Sequence, residues 1–151
     1  MDKLLEILGS FDIAKILPEV NATVGFIVLL ARIVTFFVPL LILGLGLAYF
    51  LKPAPEANHT FGYRTYFGMG SVEAWLFAQK IAGKAYLILG GGLTAVMLVV
   101  SLFFSGKSAM ATVITALICV IVELVLVVAV WVLIYRLVYR AYDKDGNRRK
   151  R

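Results

Sequence analysis

The sequence predicts an all-α integral membrane protein with three transmembrane helices, on two grounds. First, 62% of the 151 residues are hydrophobic and the mean hydropathy is +0.93, which is more apolar surface than a water-soluble domain of this length can bury. Second, the apolar residues form three long runs, at 24–51, 85–104 and 109–138. Each run reaches the roughly 20 residues that cross a hydrocarbon layer about 30 Å thick, and the outer two are long enough to tilt or project.

The segment before the first run, residues 1–20, has the pattern of an interfacial amphipathic helix or a pair of short helices. Leu4, Leu8 and Phe11 follow helical spacing, and we expect Pro18 to end the pattern. Several charged residues interrupt this segment, so we expect no cleavable signal peptide and a first span that stays in the mature protein.

The distribution of charge predicts the orientation. Seven Lys or Arg and two Asp lie from Arg136 to the end, and residues 52–84 hold four basic and two acidic side chains. Residues before Val24 hold two basic and four acidic side chains. Because Lys and Arg near span ends stay in the cytoplasm, we expect the N-terminus outside, with the long loop and the basic tail 139–151 inside.

Small residues and one proline within the runs predict features of helix packing. Gly44, Gly46 and the glycines at 90–92 would let helix backbones approach closely, with a ligand niche as the less favoured alternative. Pro39 removes a backbone donor, so we expect it to bend the first helix.

Two charged residues fall within the apolar runs. Glu123 lies near the middle of the third run and Arg32 lies in the first, and an ionised side chain near the membrane centre costs about 2.5 to 3.5 kcal/mol on insertion scales. We hypothesise that the two form an ion pair. The alternatives are that Arg32 extends to the membrane surface and that a protonated Glu123 bonds Thr35, Thr94 or a backbone carbonyl. A functional ion or ligand site at Glu123 is equally open.

The loop 52–84 predicts a structured cytoplasmic segment rather than a simple connection. Prolines stop the first helix and glycines supply turns. Ser71 has the residue type of a helix N-cap, and Glu73 would face the positive end of that helix. Trp75 and Gln79 then fall on one face of a helix that continues into the second span.

Several side chains of this loop are suited to recognition. Arg64 carries five donors in a planar fork, which can clamp a carboxylate, a lipid phosphate or helix-end carbonyls. The alternative is an internal pair with Glu73. Asn58 and Gln79 carry amides that can tie the loop to the helix. Three aromatic side chains suit the lipid headgroup boundary, namely Tyr63, Tyr66 and Trp75.

The order of these residues resembles the signature of the SdpI-like bacterial membrane proteins. The matching pieces are Asn58, then Gly62-Tyr63-Arg64-Thr65, then Ser71-x-Glu73-x-Trp75, then Ala78-Gln79-x-x-x-Gly83-Lys84. They cover the loop and the second span. Gln79 departs from the pattern, since the family usually has Asn there. The family's named member is longer and has additional spans, so the chain resembles its C-terminal part.

The resemblance implies a noncatalytic immunity protein of the bacterial cytoplasmic membrane. The named member protects a cell against its own secreted antimicrobial peptide and, on sensing that peptide, holds a transcriptional repressor at the membrane. The partners to expect are therefore the lipid bilayer, an antimicrobial peptide and a cytosolic repressor. The alternatives are a small oligomeric transporter or ion pathway centred on Glu123, built as a homo-oligomer, and a scaffold whose loop recruits a soluble partner.

Other classes of function have little support in the residues. The sequence carries no Ser-His-Asp or Cys-His arrangement and no phosphate-binding glycine loop, so we expect no catalysis and no cofactor. His59 and Cys119 are each the single residue of their type, so we expect no metal site and no intrachain disulfide. We expect the tail to be disordered and to enforce topology, with anionic lipid as an alternative ligand and nucleic acid excluded.

Overall fold

The computed structural model describes residues 13–58, 60–104 and 106–149, with side chains from residue 21 onward. These residues form three helices: α1 at Ile13–Leu51, α2 at Val72–Leu102 and α3 at Ala109–Ala141. They contain no strand. All three helices are long and apolar enough to cross a membrane, which confirms the predicted fold class at this level.

The helix ends follow from local chemistry. Ser71 caps α2, because its Oγ accepts a hydrogen bond of 3.2 Å from the backbone N–H of Ala74. Ser108 caps α3 in the same way through the N–H of Ala111, at 3.3 Å. α1 ends at Leu51, two residues before Pro53, because the residue before a proline is biased away from helical geometry.

α1 does not end at Pro18. The helix is continuous from Ile13 through that residue, so the prediction that Pro18 ends the helical pattern is wrong. A proline removes one backbone donor, and the hydrogen bonds of the turns before and after it can still hold the helix together. The rest of the predicted interfacial helix, residues 1–12, lies outside the described residues, and its place at the membrane surface stays a prediction.

α1 and α2 pack as antiparallel neighbours through glycine. A Cβ on Gly46 would lie 2.5 Å from the backbone nitrogen of Leu87, and one on Gly83 would lie 2.9 Å from that of Phe50. Gly90 lies equally tightly against the backbone of Leu43. Close approach through glycine replaces side-chain bulk with backbone contact, which is how helices associate in lipid.

Only some of the predicted glycines take part in this packing. Gly46 and Gly90 do, whereas Gly44, Gly91 and Gly92 have no atom within 4 Å of a Cβ built on them. Gly83 contributes although it was singled out only as part of the motif. The position of each glycine around the helix explains which ones pack. Gly83 and Gly90 are seven residues apart and share a face of α2, while Gly91 and Gly92 are rotated away from that face.

A small core joins all three helices near the end of the bundle that carries the loop. Its buried residues are Ile42, Tyr63, Ala78, Ala82, Tyr86, Ile134 and Val138. Beyond this core there is little burial, since no more than 22% of an 18-residue apolar stretch of each helix is buried within the chain. The bilayer or another copy of the chain must therefore cover the remaining apolar surface.

The loop between α1 and α2 and the chain after α3 meet at the same end of the bundle. The Ser71 hydroxyl donates a 2.8 Å hydrogen bond to the carbonyl of Gly146. The Tyr142 hydroxyl donates one of 3.0 Å to Glu73 Oε1. We call residues 52–71 the cap loop and residues 142–149 the folded tail.

The folded tail is ordered by a tight turn, so the prediction of a disordered tail is wrong for residues 142–149. The Asp143 carboxylate accepts hydrogen bonds from the backbone N–H groups of Asp145, at 3.0 Å, and Asn147, at 2.8 Å. Gly146 has φ +77, a conformation that favours glycine. A Cβ there would lie 2.5 Å from the Ser71 nitrogen, so the turn docks directly onto the start of α2.

Candidate functional site

The cap loop begins with a turn that Asn58 organises. Its side-chain carbonyl accepts hydrogen bonds from the backbone N–H groups of Thr60, at 3.0 Å, and Phe61, at 2.8 Å. Its Nδ2 donates to the carbonyl of Glu56 at 3.1 Å. Every one of these partners lies in the loop, so Asn58 shapes the loop and does not tie it to α2 as predicted.

Gln79 makes the predicted tie between the loop and α2. Its Oε1 accepts a 2.9 Å hydrogen bond from the Tyr63 backbone N–H, and its Nε2 donates a 3.0 Å bond to the Tyr63 carbonyl. The side chain thus pairs with both backbone groups of one residue. Gln79 is 0% exposed, so neither backbone group has water available in its place.

Trp75 is the centre of packing beneath the cap loop. The side chain is 0% exposed, and its indole Nε1–H donates a 2.8 Å hydrogen bond to the Ala54 carbonyl. Gly62 passes over the ring with φ +128, where a Cβ would lie 2.6 Å from the indole. Trp75 is therefore enclosed by the chain and does not face lipid headgroups. The ring instead fills the space that the glycine leaves open.

Tyr63 is also buried and links the loop to α3. Its hydroxyl donates a 3.0 Å hydrogen bond to the carbonyl of Trp131, and its ring packs edge-on against Tyr86. Burial, reinforced by the neighbouring Tyr86 and Tyr49, raises the pKa of Tyr63 above its ordinary value. The hydroxyl is thus a neutral donor, and the side chain is enclosed by the chain rather than facing lipid headgroups.

Thr65 closes the loop after the motif. It is buried, and its hydroxyl accepts a 2.9 Å hydrogen bond from the backbone N–H of Gly68. Its carbonyl accepts another of 3.1 Å from Met69. These bonds form the turn that returns the chain to Ser71 and α2.

Arg64 lies between the anchored residues Tyr63 and Thr65 and is itself exposed. It makes no hydrogen bond or ion pair with any described residue. Tyr66 is also 69% exposed, the one aromatic of the predicted three that faces outward. The cap loop therefore has a fixed backbone and a free guanidinium group.

The internal pair between Arg64 and Glu73, proposed as an alternative, is absent. Glu73 accepts the hydroxyl of Tyr142 instead. Burial raises the pKa of Tyr142, and the hydrogen bond to Glu73 raises it further. Glu73 therefore joins α2 to the folded tail, leaving Arg64 for another ligand.

The predicted ion pair between Arg32 and Glu123 is wrong. Arg32 Nη2 donates a 3.1 Å hydrogen bond to the carbonyl of Phe104, and the guanidinium lies 5.9 Å from the centre of that ring. Arg32 thus binds the turn that follows α2, two residues beyond its last residue Leu102.

Glu123 stays buried in the middle of α3. It is 0% exposed, and neither carboxylate oxygen has a hydrogen-bond partner among the described residues. Thr35, the predicted alternative partner, is also 0% exposed but donates to the Arg32 carbonyl at 2.7 Å. Thr94 donates to the carbonyl of Gly90 at 2.7 Å. An unpaired buried carboxyl is costly, which marks this position as unusual.

Sequence reasoning missed the folded tail. Its docking contact, from Ser71 to Gly146, joins residues 75 positions apart. The available signal was the Asp145-Gly146 dipeptide, which marks a turn. The run of basic residues after this dipeptide favoured a disordered tail instead, because such runs are usually solvated.

Comparison with known proteins gives one match. A sequence model described as the SdpI/YfhL protein family matches residues 56–136, which extends from the cap loop through α2 into α3. No curated protein and no solved structure matches the chain. The matched region includes every residue that builds the cap loop from Glu56 onward, as well as Glu123, and it excludes the folded tail.

Proposed function

From the premise that the chain belongs to the SdpI/YfhL family of membrane proteins, which the match over more than half of its length establishes, we propose that it acts without catalysis. It gives immunity to, or senses, a membrane-active antimicrobial peptide, and its cap loop recruits a cytosolic partner such as a repressor. The protein resides in the bacterial cytoplasmic membrane as a multi-pass protein.

The single observation that carries this proposal is the free guanidinium of Arg64 on an anchored loop. The loop is held by hydrogen bonds from Gln79, Trp75 and Thr65. Arg64, in contrast, is exposed and unpaired among the described residues. A planar fork of donors held in place suits two-point binding of a carboxylate. The ligand class is thus an acidic side chain or the carboxyl terminus of a polypeptide.

The proposed orientation places the cap loop and the folded tail in the cytoplasm. Both lie at one end of the bundle, and that end carries most of the Lys and Arg of the chain. The positive-inside rule therefore applies to the two segments together. In this orientation Arg64 meets a soluble partner, while the bilayer-facing helices meet a peptide that has entered the membrane.

The test is complementation of a strain that lacks the gene, measured as the minimal inhibitory concentration of candidate peptides. We expect wild-type protein to restore resistance and Arg64→Gln to lose it. Arg136→Gln is the matched control, because it removes another exposed arginine, which lies outside the cap loop. Equal protection by Arg64→Gln and wild type would remove Arg64 from the mechanism. Unaltered sensitivity of the deletion strain across a peptide panel would contradict immunity.

Partner recruitment has its own test. A photo-crosslinking amino acid in place of Tyr66 lies on the exposed surface of the cap loop. We expect it to capture a cytosolic protein in cells treated with peptide, and we expect Arg64→Gln to abolish that capture. Capture of lipid alone would contradict recruitment.

A second candidate function is an ion or proton pathway centred on Glu123, built as a homo-oligomer. It is supported by the burial of Glu123 and by its two carboxylate oxygens, which have no hydrogen-bond partner in the part of the chain that the structure describes, since ionisable groups within spans commonly mark pathways. Flux into liposomes containing the purified protein tests it. We expect Glu123→Gln to stop flux and the exposed control Glu56→Gln to leave it intact. Flux that survives Glu123→Gln would contradict this candidate.

A further inference from the structure

The folded tail encloses a cavity against the end of α3. The cavity is open on one side and has a volume of about 820 Å³. Its lining is formed by Phe77, Leu137, Arg140, Ala141, Arg148 and Arg149. It therefore combines three arginines with an apolar wall, and none of the lining residues belongs to the cap loop.

The arginines reach the cavity from two directions, and the tail holds one of them firmly. Arg140 comes from the last turn of α3. Arg149 is fixed by its Nε, which donates a 3.1 Å hydrogen bond to the Tyr142 carbonyl, and by its position 4.4 Å from the centre of the Tyr139 ring. Its terminal nitrogens keep their donors for a ligand. The Tyr142–Arg148 bridge brings the backbone of Arg148 alongside.

The acidic residues nearby do not line the cavity. Glu73 accepts the Tyr142 hydroxyl. Asp143 is occupied by the backbone N–H groups of its own turn, and Asp145 is exposed. The lining among the described residues thus contains three arginines and no carboxylate, so the cavity favours an anion.

The cavity also lies where a lipid phosphate would be found. The apolar run of α3 ends at residue 138, so Leu137 is at the edge of the hydrocarbon layer and Arg140 follows one turn later. Phe77 and Leu137 supply the apolar part of the lining, and Leu137 precedes Arg140 by one turn along α3. Basic pockets at this depth suit anionic lipid headgroups.

We propose that this cavity binds the phosphate group of an anionic phospholipid, with the arginines on the phosphate and the apolar wall against the start of an acyl chain. A phosphate oxyanion can bind two guanidinium forks at once. Three positive charges favour a lipid with net negative charge over a zwitterionic one. Inorganic phosphate shares the oxyanion but has no acyl chain to contact Phe77 and Leu137.

The test measures lipid bound to the purified full-length protein by native mass spectrometry, comparing phosphatidylglycerol with phosphatidylcholine. We expect preferential retention of phosphatidylglycerol. The double variant Arg140→Gln/Arg148→Gln should weaken it by about 25-fold, which is about fivefold for each arginine removed. The single variant Arg148→Gln should weaken it about fivefold, and Lys144→Gln is its matched control, since it removes one exposed charge from the same tail outside the cavity.

A charge-neutral variant separates a built cavity from general attraction to the surface. Gly146→Val keeps every arginine but places a side chain where a Cβ already meets the backbone of Gly70 and Ser71. We expect it to displace the tail and lose phosphatidylglycerol about as much as the double variant does, with unchanged helix content by circular dichroism.

Three results would overturn the proposal. One is an equal loss of binding in Lys144→Gln and Arg148→Gln, which indicates nonspecific attraction. Another is undiminished binding in Gly146→Val. The third is displacement of the lipid by millimolar inorganic phosphate, which would identify the ligand as a free anion.

Discussion

The two hydrogen bonds between Gln79 and the backbone of Tyr63 should dominate the stability of the cap loop, and Gln79→Met tests this. Methionine matches the length and helix propensity of glutamine and leaves little cavity, but it cannot pair with a peptide group. The variant strands one N–H and one carbonyl in a buried position. Each stranded group costs about 1 to 3 kcal/mol, so the loop should lose about 2 to 6 kcal/mol.

Hydrogen–deuterium exchange followed by mass spectrometry measures this loss locally. A cost of about 2 kcal/mol makes the loop open about 30 times more often, and larger costs multiply the factor tenfold for every 1.4 kcal/mol. We expect faster exchange in peptides covering residues 60–70 and unchanged exchange in the middle of α1 and α3. Only the loop depends on these two bonds.

Lys80→Met is the matched control, because it introduces the same residue one position along α2 at an exposed site. It should exchange as the wild type does. The reasoning is refuted if Gln79→Met leaves the exchange of residues 60–70 unchanged while the protein remains folded. Equal acceleration in all three helices would also refute it, because the loop would then not be a separate unit of stability.

Three further predictions concern glycine and the tail. Gly62→Ala should destabilise the cap loop by about 1 to 3 kcal/mol, because its φ of +128 and its contact with Trp75 both exclude a Cβ; Trp fluorescence during thermal unfolding measures it. Gly90→Ala should lower the melting temperature in detergent through a clash with the first helix, whereas Gly91→Ala, with nothing within 4 Å, should not. The pKa of Asp143 is lowered, chiefly by the backbone N–H of Asn147. The ionised carboxylate therefore stabilises its turn fully at pH values above the ordinary pKa of 3.8. This stabilisation is lost as the pH falls through the lowered pKa. NMR shifts of the Gly146 amide should follow that loss, and Asp143→Asn should remove the pH dependence.

The helices and their caps could be predicted from sequence because they depend on neighbours in the chain. Apolar run length determines the spans, and Ser71 caps α2 through an N–H three residues later. The tie from Gln79 was predictable as well, because an amide on the buried face of α2 needs a partner and the adjacent loop is the nearest source.

The environment of individual side chains was not predictable in the same way. Tryptophan is typical of membrane interfaces, yet Gly62 and Ala54 enclose the Trp75 ring. These contacts depend on the path of the cap loop over α2, which the sequence pattern does not give. The predicted pairing of Arg32 with Glu123 was wrong because the rise per residue gives only the depth of each side chain along its helix. It does not show which faces of the two helices contact each other. Arg32 found the Phe104 carbonyl instead.

The anchored backbone on either side of Arg64 has an entropic consequence. Tyr63 is held by three hydrogen bonds, through its N–H, carbonyl and hydroxyl, and Thr65 is held by the turn that follows. The loop has thus lost its main-chain freedom during folding, before any ligand arrives. A ligand that engages the guanidinium has only the rotamers of one side chain to immobilise, about 2 kcal/mol, so even a small contact area at this position can give measurable affinity.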